Sequence, residues 1–436
     1  MFTRLFKICG ISLTILQRLV FLTEANRCHV SGGPSLAAII RELRPWFTVG
    51  SENTFHALKS LQHRATSLVM STQNEPSIKW KSGSKQTALL VPGGEVSLEG
   101  LQQCQGDLED ATLKLLTQDL LFGHTFPIDI AALKDDMGNK EPGYSLFTDR
   151  INQEILGPID QLAQHILETP ALCAKFVLDV QDGEILWNAV SLSSWLAAYA
   201  QLNLLCLVQV EMNCGAPART TELTGMPRYN TPQGMLRAMR IIDNHIALMR
   251  TYHKMRAAQG QDRVIPHSLN AALGAVFIYK EAVCHPFAQL CASILFPNDH
   301  SLRSLYRTHL FVNYDKQFTG DHITQEMKRW TVKHLGVALG VRTYRQYSTP
   351  LRRVHAGLQE MWLEDSEDTV DSLQAGHSHR VDWMRYGVTD MSATGLPEDY
   401  IGPFLATSVM WHRILHLVPG MWLLCNEEDR LLTFCN

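Results

Sequence analysis

What this chain of 436 residues lacks narrows its reading first. It has no excess of basic charge: 39 Lys and Arg stand against 43 Asp and Glu, a formal net charge of −4. No general cationic coat is therefore available for nucleic acid, and a polyanion would have to meet a local patch. It has no Cys-x-x-Cys pair. Its ten cysteines are scattered from Cys9 to Cys435, which matches neither zinc-type spacing nor the paired framework of a small secreted domain, and reads as reduced, mostly buried intracellular thiols. No apolar run is long enough to span a bilayer. The run Ile8–Leu16 behind Arg4 and Lys7 is interrupted by Gln17 and Arg18, and without a small-residue cleavage site it predicts an amphipathic first helix, not a signal peptide. Internal repeats and low-complexity tracts are missing too. No obvious carboxylate cluster offers itself to Mg²⁺, so no metal and no cofactor are expected.

What is present is an ordinary folded composition, 45% hydrophobic and 19% charged, in a chain long enough for two or three domains. Residues 31–169 read as mostly helical. Pro34 and Ser35 open a helix through Leu43, Ser51–Met70 continues the helical pattern, and Leu98–Phe122 has Leu101, Leu108, Leu113 and Leu116 as its buried face. Between them, residues 72–97 end in Pro92-Gly93-Gly94 and predict a loop or small hairpin. Ile151–Leu167 returns to helix. Beyond residue 170, Ala171–Val180 reads as a helix end or a strand, and Ile185–Glu211 as one long apolar helix. Arg240–Ile242 and Ile246–Leu248 flank Asp243-Asn244-His245 as a tight hairpin. The expected class is mostly α with a small β component, α+β, divided into an uncertain N-terminal helix (1–30), a helical domain (31–169) and a second domain (170–436).

Four short motifs in the second half carry candidate chemistry. Pro217 can start a helix that sets Arg219 and Glu222 three residues apart on one face, an arrangement that is usually a surface ion pair. Lys254 follows the hairpin strands, ahead of Arg263-Val264-Ile265-Pro266. Arg342 and Arg345 share a helix face, where two like charges repel unless an anion lies between them, and phosphate matches the guanidinium fork. Gly376-His377 precedes Tyr386 by nine residues. On one straight helix that is a rise of about 13 Å, too far for both side chains to reach one phosphate, so the chain should turn between them.

In this order, over roughly residues 185–400, the motifs resemble the catalytic domain of the tyrosine recombinase (integrase) family, and are similar to the recombinase-like regions of fungal mobile-element proteins. The resemblance implies that Arg219 and Arg345 are the two catalytic arginines, Lys254 the hairpin lysine, His377 the Gly-His histidine and Tyr386 the nucleophile. Glu222 would support Arg219, and residues 31–169 would clamp DNA. Arg342 stands where the family usually carries histidine; arginine donates hydrogen bonds but does not exchange a proton near neutral pH.

Those residue types suit the implied chemistry. A tyrosine hydroxyl of pKa about 10 needs cationic neighbours to become a nucleophile. Fixed arginines stabilise the charge that builds on an attacked phosphate, and a lysine can return a proton to the leaving 5′-hydroxyl. The implied activity is DNA cleavage and rejoining through a 3′-phosphotyrosine. It implies double-stranded DNA as partner, self-association on DNA, a helicase as a further partner, no membrane, and a nuclear location. Basic groups around Arg228, Arg237, Arg240, Arg250, Lys254, Arg256 and Arg263, and around Lys328, Arg329, Lys333, Arg342, Arg345, Arg352 and Arg353, are expected to track the DNA backbone. Two other readings stand beside this one: a descendant that grips DNA without cleaving it, and a helical interaction protein whose motifs coincide by chance.

Overall fold

The computed structural model describes residues 19–31, 35–47, 78–181, 183–215, 217, 220–252, 263–355 and 398–423. Arg219, Lys254, His377 and Tyr386, the helix predicted over Ser51–Met70 and the apolar run Ile8–Leu16 lie outside them. The chain forms two compact units, Met1–Ser77 and Ile78–Asn436. In the first, residues 19–30 are helical and helix α1 spans Leu36–Phe47, with Ile39 buried.

The second unit is mostly helical with small antiparallel sheets, the α+β class expected. It opens with strands β1 (Lys79–Trp80), β2 (Ala88–Val91) and β3 (Gly94–Ser97), paired in that order, so the polar segment before Leu98 is indeed a small hairpin structure. Ser97 caps helix α2 (Leu98–Lys114) by accepting from Gly100 N at 3.1 Å. Helix continues as a π-type stretch through Leu120. The predicted face is the buried one: Leu101, Leu108 and Leu116 are sealed, and Leu113 is partly so.

Ile151–Leu167 is not one helix. Gly157 takes φ 76° and Pro158 follows it, and α3 (Gln161–Glu168) and α4 (Pro170–Phe176) come after the break. Both readings of Ala171–Val180 hold in part, since α4 ends at Phe176 and β4 (Val177–Gln181) begins there. Ile185–Trp187 departs from the predicted long helix: it belongs to β5 (Glu184–Trp187), paired with β4 across Gly183 at φ 85°. Asn188 then caps the helix proper, α5 (Ala189–Asn213), through Val190 N at 3.1 Å.

Helix α5 is the axis of the unit. It is long and apolar enough to cross a membrane, yet over half of that stretch is buried inside the protein. It packs on α2 and on α8 (His285–Leu295) and α10 (Gly320–Leu335), with α7 (Ala271–Tyr279) preceding α8 and α9 (His300–Thr308) following it. Helix α2 packs on α10 as well, so closely that a Cβ on Gly100 would meet Leu335 at 2.5 Å. Where the sequence suggests a boundary near residue 169, the compact units divide at 77/78. The reason is that α2 shares the core of α5, to the extent that Gln209 Nε2 donates to Thr112 Oγ1 at 2.7 Å in the buried interface.

The remaining sheet is β6 (Met239–Ile242), β7 (His245–Tyr252) and β8 (Arg263–Ser268), antiparallel in that order. The predicted hairpin is present, with Asp243 and Asn244 both at positive φ (46° and 62°), a type I′ turn, and His245 as the first residue of β7. Short α6 (Thr220–Thr224) precedes the sheet; α11 (Val341–His355) and α12 (Glu398–Ile414) complete the fold.

If α2 is core, Leu108→Ala should lower the unfolding free energy by about 2–5 kcal/mol, the range for emptying a sealed leucine site. Val190→Ala, at 78% exposure against 0% for Leu108, should change it by less than about 0.5 kcal/mol. Urea midpoints check both.

Candidate functional site

The last carbonyls of a helix have no partner within it. At the end of α5 they are met by side chains from three other elements. Met212 O accepts from Tyr344 Oη of α11 and from Trp411 Nε1 of α12, the latter at 3.0 Å. Cys214 O accepts from His267 Nδ1 of β8 and from Ser408 Oγ of α12, both at 2.9 Å. Gly215 O accepts from Arg352 Nη1 of α11 at 3.2 Å. The chain leaves this junction into 216–219, the segment of the first motif.

Because a carbonyl only accepts, His267 Nδ1 must carry the proton, and Nε2 is left as a sealed acceptor without a hydrogen-bond partner. Burial drives the His267 pKa well below its usual value, and the Arg250 and Arg352 guanidiniums add to that. Strand register explains how Arg250 comes there. Leu248 pairs with His267, and Arg250, two residues on, projects from the same face of the sheet. Its Nε lies 3.4 Å from Glu222 Oε2 of α6, both side chains nearly sealed.

Helix α11 supplies the other cations. Arg345 and Arg352 are seven apart, about two turns, and so share a face. Arg345 is half-buried, whereas Arg352 is sealed, donating to Ser348 Oγ at 3.2 Å and lying 5.9 Å from the Trp411 ring centre. Arg342, in the first turn, is exposed. The two arginines of the motif thus meet different surroundings.

Of the residues singled out in the sequence, Glu222, Arg342 and Arg345 are described. Glu222 has Arg250 as its ion-pair partner, a residue the motif reasoning did not single out. The first expected basic surface needs correcting, whereas in the second only Arg352 is buried and Arg329, Lys333, Arg342 and Arg353 are exposed. Arg237, Arg240, Arg250 and Arg352 are at most 1% exposed. Arg237 pairs with Asp135 at 2.7 Å and Arg228 with Glu281 at 2.6 Å. Arg237, Arg240, Arg250 and Arg352 face inward and cannot track a DNA backbone, and Arg228 is engaged by a buried carboxylate; charge counted along a sequence carries no information about which way a side chain points. Also missed were His267, Ser408, Tyr344 and Trp411. A signal existed for Arg250, which keeps the apolar parity of Ile246 and Leu248, and for Arg352, two turns after Arg345.

Around this junction are two further buried histidines. His412 is sealed with neither ring nitrogen hydrogen-bonded, and burial, with a smaller contribution from His245, lowers its pKa to about 3. His245 contacts Ser268 Oγ at 2.8 Å, and burial lowers it to about 4. Among the described residues no group of three or more His, Cys, Asp or Glu gathers as metal ligands do. Chemically, the arrangement is a fixed lattice of donors and cations that ties the end of α5 to β8, α11 and α12, and α6 to β7, with Arg345 a partly exposed cation on α11. No protein-family model matches the chain, and no solved structure matches it.

The histidines make stability pH-dependent with a definite sign. Each is neutral when folded and titrates near 6.5 when unfolded. Their contribution is complete above pH 6.5 and is lost as pH falls, because the unfolded chain takes up protons that the folded chain refuses. For His245 the loss runs down to about pH 4 and for His412 to about pH 3, each at up to about 1.4 kcal/mol per pH unit. Melting temperatures from pH 7 to 4 should fall, and His412→Leu should flatten the profile. A variant profile parallel to the parent's would count against this.

Proposed function

We propose that this chain is a DNA strand transferase of the tyrosine-recombinase type, which cleaves and rejoins double-stranded DNA through a 3′-phosphotyrosine on Tyr386. The observation that carries the reading is the junction at the end of α5. Gly215, just ahead of the first motif, accepts there from Arg352, on the helix that bears the third motif and 137 residues away in sequence. In sequence, Arg219 follows Gly215 by four residues and Lys254 lies between β7 and β8, while α11, which meets the junction through Tyr344 and Arg352, bears Arg345.

In this reading Arg219 and Arg345 hold the attacked phosphate and stabilise the charge it gains, since fixed guanidiniums need no reorganisation as the reaction proceeds. The Tyr386 hydroxyl attacks phosphorus, passing its proton to solvent water, and displaces the 5′-oxygen, which takes a proton from Lys254. His377 donates to a non-bridging oxygen. The reverse attack by a 5′-hydroxyl releases Tyr386 and reseals the strand. The phosphodiester energy is kept in the tyrosyl bond, so no nucleotide cofactor is consumed. Glu222, through Arg250, ties α6 to the sheet and positions Arg219 indirectly. Self-association on DNA, a helicase partner and a nuclear location belong to the same reading.

A second reading, a fold that grips DNA without cleaving it, is favoured by one observation: at the position of the usual proton-exchanging histidine stands Arg342, exposed and unable to act as a base.

A nicked suicide substrate separates the two. The parent should form a covalent protein–DNA adduct. Tyr386→Phe should abolish the adduct while leaving DNA affinity and melting temperature unchanged, and an adduct surviving in that variant would remove Tyr386 from the mechanism. Salt-dependent DNA binding by a parent that forms no adduct would select the second reading. If cleavage is slow because position 342 lacks a proton-exchanging group, Arg342→His should raise the single-turnover rate of adduct formation by at least about tenfold, the low end of general acid–base effects being about a hundredfold. A slower variant would show that the arginine is adapted to its place.

A further inference from the structure

Away from the junction, α8 and α9 form an open groove of about 340 Å³ lined by Gln289, Ser293, His300, Arg303 and Arg307. None of the five is acidic. Arg303 and Arg307 take part in no ion pair among the described residues. This sets them apart from exposed cations such as Arg329, Lys333 and Lys81, which sit against Glu326, Asp107 and Glu95.

The groove's hydrogen bonds leave it rich in donors. Arg303 Nη2 donates to His300 Nδ1 at 2.6 Å. A guanidinium only donates, so His300 keeps its ring proton on Nε2, as another donor. Arg303 Nε is sealed from solvent and has no hydrogen-bond partner. On the α8 side, the Gln289 amide nitrogen is spent on His285 Nε2 and Tyr306 O, at 3.1 and 3.3 Å. The Ser293 hydroxyl donates to Leu290 O at 2.7 Å. The donors that remain, from Arg303, Arg307 and His300, lie at i, i+3 and i+7 along one face of α9. Two arginines four apart repel one another on a bare helix, and an anion between them turns that repulsion into two charge-assisted contacts. Phosphate suits the guanidinium fork.

The position of the groove separates it from the candidate site. Gln289 reaches His285, which bonds Tyr199 of α5 at 3.1 Å. From Tyr199, near the middle of α5, to Cys214 the helix rises about 22 Å, so the groove side of α8 meets α5 well away from the junction. We propose that the Arg303–Arg307 groove binds a phosphate group of a nucleic-acid backbone, remote from the phosphate that reacts. This rests on the DNA reading above.

The test uses the full chain and compares the parent with the Arg303→Gln/Arg307→Gln double variant, with Arg27→Gln as a control for loss of an exposed, paired arginine, since Arg27 sits against Glu24 and belongs to neither basic group. Equal melting temperatures establish that the fold is intact. Affinity for double-stranded DNA of several sequences is measured by anisotropy from 50 to 300 mM KCl. The double variant should bind every sequence more weakly, with the slope of log K against log salt reduced by about 1 to 2, because each phosphate contact contributes about 0.9. The control should keep the parent slope. An unchanged slope in the double variant overturns the proposal while leaving the DNA reading intact. If, with that slope unchanged, calorimetry shows the parent binding inorganic phosphate and the variant losing it, the groove serves a small phosphorylated ligand and the backbone assignment is overturned. A parent that shows no salt-dependent DNA binding overturns both readings together.

Discussion

The C-terminal end of α5 is the constraint on which the second unit turns. A helix of 25 residues buried through the middle of a domain ends with carbonyls that water cannot reach, and an unmet buried carbonyl costs roughly 1–3 kcal/mol. Here five donors from β8, α11 and α12 satisfy three carbonyls within four residues, those of Met212, Cys214 and Gly215. None of those donors is local in sequence, so capping this one helix also sets where the sheet and the last two helices stand. The segment that carries Arg219 leaves from that junction, and α11 brings Arg345 on the face that it shares with Arg352.

The interior is unusually charged for a chain of such ordinary composition, and its charges are distributed with a consistent logic. Glu281 is sealed with Lys280 and Arg228; burial alone would raise its pKa, and Lys280, His285 and Arg228 outweigh burial and hold it down to about 2. Arg237 is met by Asp135, by Asp136 O at 2.7 Å and by the Tyr144 ring at 4.5 Å. Arg240, next to it, has a sealed Nε and Nη1 without hydrogen bonds, and burial lowers its pKa to about 10. A buried ion pair adds little net stability, but removing one partner leaves an uncompensated charge. Each such pair therefore penalises any packing that separates its two members, Arg228 from Glu281 and Arg237 from Asp135.

Much of the local architecture was legible in the sequence. The apolar spacing of Leu101, Leu108 and Leu116 marks the face of α2 that is buried. Asp243-Asn244 between β-branched runs gives the hairpin, because those residues tolerate the positive φ of a type I′ turn. The interval from Gly340 to Arg345 reads as the opening of a helix and is one. Legibility failed where two local patterns overlap. Ile185–Trp187 continues the apolar texture of α5, yet the turn at Gly183 and the cap at Asn188 make it a strand, and Gly157-Pro158 interrupts a stretch whose apolar spacing alone reads as one helix.

The sequence by itself determined the buried face of α2, the hairpin turn and the order of the motifs, because each depends on backbone preferences and apolar periods within a few residues. Only the tertiary structure decided which arginines are interior, that Glu222 meets Arg250, and that α2 belongs to the core of α5. Trp411 and Met212 are 199 positions apart, and Arg352 and Gly215 are 137 apart. Periodicity says which face of an element is apolar, but nothing about which distant element will cover it. The fate of a charged side chain is set by that cover: with a carbonyl or carboxylate in reach it can be buried, and without one it must stay in water.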